Sequence, residues 1–274
     1  MKTIITAALL LAWHLLAISP LKAQTVAGEE IQLGYVRDYI KFRDKQVSPM
    51  LYVTNLNAIK IGYGRITAKN QWLASISAGT GPLIAPSLGI RQFKFSEDQA
   101  EPLYLVPTLY RGELSLTYRR KLANKGIQTS WAGLQVRESF NYADGLALTT
   151  WVVNTLALDF TYQTQLQLNA SNRIVAEASL PVLTAVSRLP YSNAISRPET
   201  SNASAFLKNT SLASLTKYLN PELSFKYRFS ISQRLAVQAS YSYQWLHYPE
   251  PRLIRLASHA GSLSFIYQYH FTHQ

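Results

Sequence analysis

The chain has 274 residues, with 27 Lys plus Arg against 15 Asp plus Glu and no cysteine. The missing cysteines exclude a disulfide framework and a thiolate metal site, so backbone pairing and packing must supply the stability. A formal net charge of +12 invites a nucleic-acid reading, but the basic residues are dispersed, with no Lys/Arg-rich run and no recognition motif, which argues against nucleic acid.

Met1 and Lys2 make a short basic start, Ile4 to Ala17 is an apolar run, and Ala23 is a small residue ahead of Gln24. This is the layout of a secretory signal peptide over residues 1–23, cleaved to leave a single domain over 24–274. The apolar run is short for a membrane span, and no later stretch offers eighteen consecutive apolar residues, so no helical anchor is expected. Gln24 rather than Cys follows the cut, which gives no lipoprotein signal. Without Lys2 and Lys22, 25 basic and 15 acidic side chains remain, a net charge near +10. Anionic lipopolysaccharide is the expected counter-charge.

The mature part alternates with a period of two, the signature of strands. The first predicted strand covers Gln32 to Phe42, the second Asn57 to Thr67, and the turn 68–71 leads to a third over Trp72 to Gly79. In the fourth, Tyr110 to Leu122, Leu114, Leu116 and Tyr118 oppose Glu113, Ser115, Thr117 and Arg119. A turn at 123–126 gives the fifth, Ile127 to Ser139. The sixth, Leu156 to Leu168, sets Leu156, Leu158, Phe160 and Tyr162 against Asp159, Thr161, Gln163 and Gln165. One face suits lipid and the other a wet lumen. The turn 169–172 leads to the seventh, Arg173 to Val186, and Leu223 to Phe229 forms the eighth. The ninth alternates Val237, Ala239, Tyr241, Tyr243 and Trp245 with glutamines and serines, and the tenth ends the chain over Leu263 to Phe271.

Links at about 43–56, 80–109, 140–155, 188–221 and 247–260 are long, and those between them are tight turns. That alternation predicts periplasmic turns, extracellular loops and an even strand number. The expected fold class is all-β: a transmembrane antiparallel up-and-down β-barrel of about ten strands, with eight or twelve also compatible, and Ile90 to Phe95 a candidate hairpin above the membrane. Strands of ten to thirteen residues would span roughly 25 Å at a ~3.3 Å rise and ~40° tilt. A water-soluble sandwich also alternates, but it would have to cover the aromatic face of the tenth strand.

The final strand, with Phe265, Tyr267, Tyr269 and Phe271 on one face, resembles the C-terminal insertion signal of bacterial outer-membrane proteins, although Thr272, His273 and Gln274 follow the aromatic. Over its mature length the chain resembles the uncharacterised barrels of Bacteroidota outer membranes, through Leu33 to Arg37 with Asn57 to Tyr63 and Leu180 to Leu183 with Arg188 to Tyr191. The resemblance implies a Gram-negative outer-membrane location and recognition by the barrel-assembly machinery, without an activity.

Omptin proteases are also ten-stranded and carry an Asp-x-His element at the outer rim; this chain has none. The mature histidines are His247, His259, His270 and His273, the first two assigned to the last extracellular loop, where Asp144 or Ser192 would have to approach them. No spacing specifies a triad or a metal set. Gly79 and Gly81 lack the lysine of a phosphate cradle. No catalytic residue, metal or cofactor is therefore expected. The sequence reads as a non-enzymatic barrel whose loops bind a partner subunit or surface glycan; a narrow, porin-like channel for small solutes is the alternative, and a rim enzyme acting on lipid or peptide the third reading. Five inward charges, Glu113, Arg137, Asp159, Glu177 and Lys226, are expected to bridge neighbouring strands and close the lumen.

Phe271→Asp should lower outer-membrane levels of the protein more than Thr272→Asp, because Phe271 continues the lipid-facing parity of the last strand. Immunoblots of outer-membrane fractions measure both, and equal levels would refute that parity.

Overall fold

The computed structural model describes residues 28–269, except 95, 99, 102, 147–148, 190–203, 205 and 207. The leader, Ser192, His270, Phe271 and His273 lie outside the described residues. Thirteen strands follow in chain order: β1 (Gly28–Asp44), β2 (Tyr52–Ile66), β3 (Asn70–Pro82), β4 (Arg91–Phe93), β5 (Leu103–Leu105), β6 (Thr108–Lys125), β7 (Gln128–Leu146), β8 (Thr149–Gln167), β9 (Asn172–Arg188), β10 (Ser211–Ser214), β11 (Glu222–Ser230), β12 (Leu235–Tyr248) and β13 (Ile254–Tyr269). Ten of them close into one antiparallel barrel in the order β1, β2, β3, β6, β7, β8, β9, β11, β12, β13 and back to β1. Closure leaves the barrel without a free end strand, which is what a wall without surrounding water requires.

Each tight turn is made by the residues that the local chemistry demands. Thr67 Oγ1 accepts the Asn70 amide at 2.9 Å, Gly126 adopts φ 58° between β6 and β7, and Asn169 Oδ1 accepts the amides of Ser171 and Asn172 at 3.0 and 2.9 Å. Ser232 Oγ accepts the amide of Leu235 at 3.1 Å. Side-chain acceptors and a left-handed glycine reverse the chain without leaving donors unpaired. All four turns lie at one end of the barrel.

At the other end the loops are shorter than the sequence suggests. β7 and β8 run to 19 residues each and leave only residues 147–148 between them, and β12 and β13 are joined by 249–253. Most of the expected loops at 43–56, 140–155 and 247–260 is therefore strand, and the barrel strands other than β3 and β11 exceed the expected ten to thirteen residues. The reason is a switch in the apolar face. On β8, Leu156, Leu158, Phe160 and Tyr162 point outward, yet Trp151 and Val153, of opposite parity, are buried inside. β1 does the same, with Ile31, Leu33 and Tyr35 outward and Ile40 and Phe42 inward. A pattern that changes phase looks irregular in sequence although the strand is continuous. The 90–95 hairpin does form, as β4 with β5, but as a separate two-stranded sheet rather than an extension of the wall.

The outward apolar band is edged by aromatics. Trp72 and Tyr118 meet at 4.5 Å towards the turn end, and Tyr110 and Tyr142 at 6.0 Å towards the loop end. Between Tyr118 and Tyr110 the strand rises eight residues, roughly 20 Å along the barrel axis at a ~40° tilt. Phe265, Tyr267 and Tyr269 lie on this outer face, 64%, 37% and 43% exposed.

Of the irregularities in the wall, two involve β9 and its neighbours. In β9 the register with β8 slips at Val182, so that Ser179 and Glu177 face inward on one side of the bulge while Thr184, Val186 and Arg188 face inward on the other. Pro181 has no amide to donate and suits a bulge. The second is a split strand: β10 pairs with β9, Leu219 pairs with His247 of β12, and the intervening Leu215, Thr216 and Lys217 bow outward.

Inside the loop end sits an apolar core of Ile40, Phe42, Leu56, Leu109, Trp151, Val186, Tyr248 and Ile254. Phe42 stacks between Trp151 at 4.5 Å and Tyr52 at 5.5 Å. Phe42→Ala should destabilise the barrel by about 3–5 kcal/mol, because it opens a cavity in this core. Phe225→Ala, on the 57% exposed outer surface, should cost much less. Urea unfolding in detergent micelles compares them.

Candidate functional site

The inward side chains fall into three layers. Nearest the turns is a polar chamber with a cavity of about 200 Å³, bordered by Glu30, Lys60, Arg119, Glu177, Lys226 and Arg228. Glu177 on β9 accepts from both Lys226 Nζ, at 2.8 Å, and the Arg119 guanidinium. Arg119 is fully buried and also donates to Gln163 Oε1 at 2.6 Å and Thr161 Oγ1 at 3.1 Å. Gly133 lets β6 and β7 close up beside it, since a Cβ there would lie 1.9 Å from the Tyr118 carbonyl oxygen. Arg228 Nη1 donates to Glu30 Oε2 at 2.8 Å across the chamber.

The middle layer is a lattice of charges. Arg137 on β7 stands 2.9 Å from Asp159 and 2.7 Å from Glu222. The Asp159 contact has ion-pair distance without hydrogen-bond alignment, and this carboxylate is wholly buried. Arg111 donates to Asp38 at 3.2 Å, Glu113 at 3.4 Å and Gln244 Oε1 at 2.9 Å, while the Ser258 hydroxyl donates to Asp38 at 2.6 Å. Two arginine forks thus tie together strands from opposite sides of the barrel. The guanidinium has donors enough for several acceptors at once, which a lysine lacks.

The third layer is the apolar core, pinned from above. Asp44 receives the Trp151 indole N–H at 2.8 Å and pairs with Arg188, whose Nη1 also donates to the carbonyls of Glu250 and Arg252 at 2.8 and 2.7 Å. Beside this pin a cavity of about 660 Å³ is lined by Gln46, Val186, Arg188, Ser211, Tyr248 and Arg252.

Of the five charges singled out from sequence, the structure brings together Arg137 with Asp159 and Glu177 with Lys226. Glu113 is placed differently, against Arg111 rather than Arg137. Sequence reasoning missed Glu222, Arg111 and Asp38, and it placed Arg119 on the inner face without assigning it to the network. Each was detectable by inward parity, but Glu222 directly follows Pro221 and a long link, and so reads as loop. His247 and His259 are not in a loop: they lie on the outward face of β12 and β13, where His259 Nδ1 is 2.8 Å from the Tyr241 hydroxyl and His247 stacks on Trp245. His247 stands at the loop end of β12 and His259 lower on β13, both on strands rather than in a loop. Asp144 belongs to β7. Among the described residues, no group of three or more His, Cys, Asp or Glu converges as a metal site.

No protein-family model matches the chain, and no curated protein matches it in sequence. Solved structures do match in fold. The outer-membrane protease OmpT from Escherichia coli aligns with TM-score 0.54 at 8% identity, covering 92% of this chain and 99% of that one. The translocator domain of the autotransporter NalP from Neisseria meningitidis aligns with TM-score 0.47 at 9% identity over 98% of each chain. The COG4313 outer-membrane channel from Pseudomonas putida F1 aligns with TM-score 0.45 at 8% identity, covering 92% of this chain and all of that one. The fold is a closed ten-stranded antiparallel barrel of the bacterial outer-membrane class. The match to a protease corrects one expectation: this architecture carries catalysis as well as binding, so the flat exclusion of an enzyme does not stand. At 8% identity the likeness extends to the fold alone.

Arg137→Ala should destabilise the barrel by about 3–5 kcal/mol, since Asp159 is left buried without its counter-charge. It should not produce steady conductance in planar bilayers, because the apolar core above it still fills the bore. Porin-sized openings in this variant would show that the charges alone keep the lumen shut.

Proposed function

We propose that the chain is an integral outer-membrane protein, with its tight turns in the periplasm and its loops outside, that acts through its extracellular end rather than through its bore. The observation that carries this reading is the stacking of a charge lattice and an apolar core across the lumen, in a barrel whose ten strands leave an interior that side chains can fill. The outward apolar band between two aromatic rows supports the membrane placement. Barrel-assembly machinery would recognise the last strand, and lipid and lipopolysaccharide would surround the wall.

The binding target is a partner subunit or a surface glycan. The cavity beside Arg188 and Tyr248 has the size of a ligand pocket and lies at the loop end, with Arg188 and Asn209 in its lining. Its edge offers tyrosine and arginine, residue types that favour both protein contacts and sugar hydroxyls. A narrow solute channel is less well supported, since a solute would have to cross the stacked rings of Phe42 and Trp151.

Protease added to intact cells should cut within residues 189–210 and spare the turn at Gly126; cleavage at Gly126 in sealed cells would reverse the orientation. Single-channel recording of the purified protein should show no stable, porin-sized conductance, and a steady open level would favour the channel instead.

A further inference from the structure

Towards the loop end, beyond the outer aromatic row, the wall changes character on one side only. On β1 the outward positions after Tyr35 are Arg37, Tyr39, Lys41 and Arg43, and on β13 Arg255 stands directly opposite Arg43. All four cations are exposed, and among the described residues none has a carboxylate within 4.0 Å. The acidic residues that alternate with them, Asp38 and Asp44, point inward and are buried. Lys41 Nζ lies 5.4 Å over the Tyr39 ring. Like charges directly across a strand pair destabilise it, so the Arg43 and Arg255 pairing is uncompensated within the protein itself. Elsewhere on the outer face, Glu29 stands 3.9 Å from Arg65 near the turns, and Glu138 on β7 accepts from Asn154 at 3.0 Å.

We infer that this outward wall of β1 and β13 is a binding site for the phosphate groups of an outer-leaflet glycolipid. The apolar band below, with Leu33, Leu263 and Phe265, offers a surface for acyl chains. Tyr35, Tyr39, Tyr241 and Tyr243 mark the boundary where headgroups begin. Arg37 sits at that boundary and Arg43 with Arg255 six residues higher, roughly 15 Å along the axis, so the cations are spread over the depth of a phosphorylated sugar headgroup rather than focused on one ion. Guanidinium groups bind phosphate in bidentate fashion. At Gly261, opposite Arg37, an added Cβ would meet nothing within 4 Å, so no side chain on β13 covers Arg37 there. The site rests on the loops-out orientation proposed above.

The test uses the mature protein in zwitterionic micelles, which makes its outcome independent of where the cell places the chain. Bisphosphorylated lipid A, its monophosphorylated form and phosphatidylglycerol are added at equal concentration, and retained lipid is read by native mass spectrometry. Bisphosphorylated lipid A should be retained about tenfold over phosphatidylglycerol, and the double variant Arg43→Gln, Arg255→Gln should lose about that factor. Glu138→Gln, on the opposite side, should retain it as wild type does. Should the double variant fail to fold, Arg37→Gln with Lys41→Gln carries the same comparison. Thermal unfolding adds a sign test: in micelles alone Arg43→Gln should melt no lower than wild type, and with lipid A present it should melt lower. Equal retention by wild type and variant, no preference over phosphatidylglycerol, or displacement by millimolar inorganic phosphate would each overturn the glycolipid assignment, the last by revealing a simple ion site.

Discussion

A barrel wall that passes from hydrocarbon into water has to turn its apolar side chains around on the way, because a strand offers only two faces and its backbone cannot stop at the boundary. Everything else in this protein follows from that reversal. Below the upper aromatic row, leucines and phenylalanines face outward and the interior is wet and charged. Above it Phe42, Trp151 and Ile254 face inward, and arginine, lysine and asparagine take the outside. The chain joins the interior chemistry of a membrane barrel to that of a soluble one along uninterrupted strands.

The charge lattice sits at the junction of those two regimes. Arg137 and Arg111 lie between the polar chamber and the dry core, where water thins out but carboxylates from several strands still point inward. A single ion pair in such a place gains little over its desolvation cost. A fork shared between acceptors on different strands does something else. It fixes which strands face one another across the bore, and so sets the register of the closed sheet.

The strands between the aromatic rows were legible because lipid and lumen impose opposite demands on alternate residues, as Leu156 to Gln165 show. The count of ten and the four turns were legible for the same reason, helped by Asn169 and Gly126. The strand ends were not, because Trp151 and Val153 carry the opposite phase and cancel the alternation around them. The charge partners were half legible. Parity gives the face on which Arg137 and Asp159 lie, whereas the pairing of Glu113 with Arg111 depends on barrel stagger, which sequence spacing does not encode. The shift of parity at Val182 is likewise a matter of register, hinted at by Pro181 alone.

The split strand between β9 and β12 has a consequence for how the wall would come apart. β1 and β13 share sixteen opposed residues, whereas β9 meets β11 over eight and β10 over four, with the outward bow of Leu215 to Lys217 between them. β11 is held by eight opposed residues to β9 and nine to β12, against ten or more at each other barrel junction, and the ring of Tyr218 is tucked inside beside it. Under heat or mechanical load the cylinder would unzip from here, and amide protons along this line would exchange with solvent before those of the β1 and β13 junction on the other side.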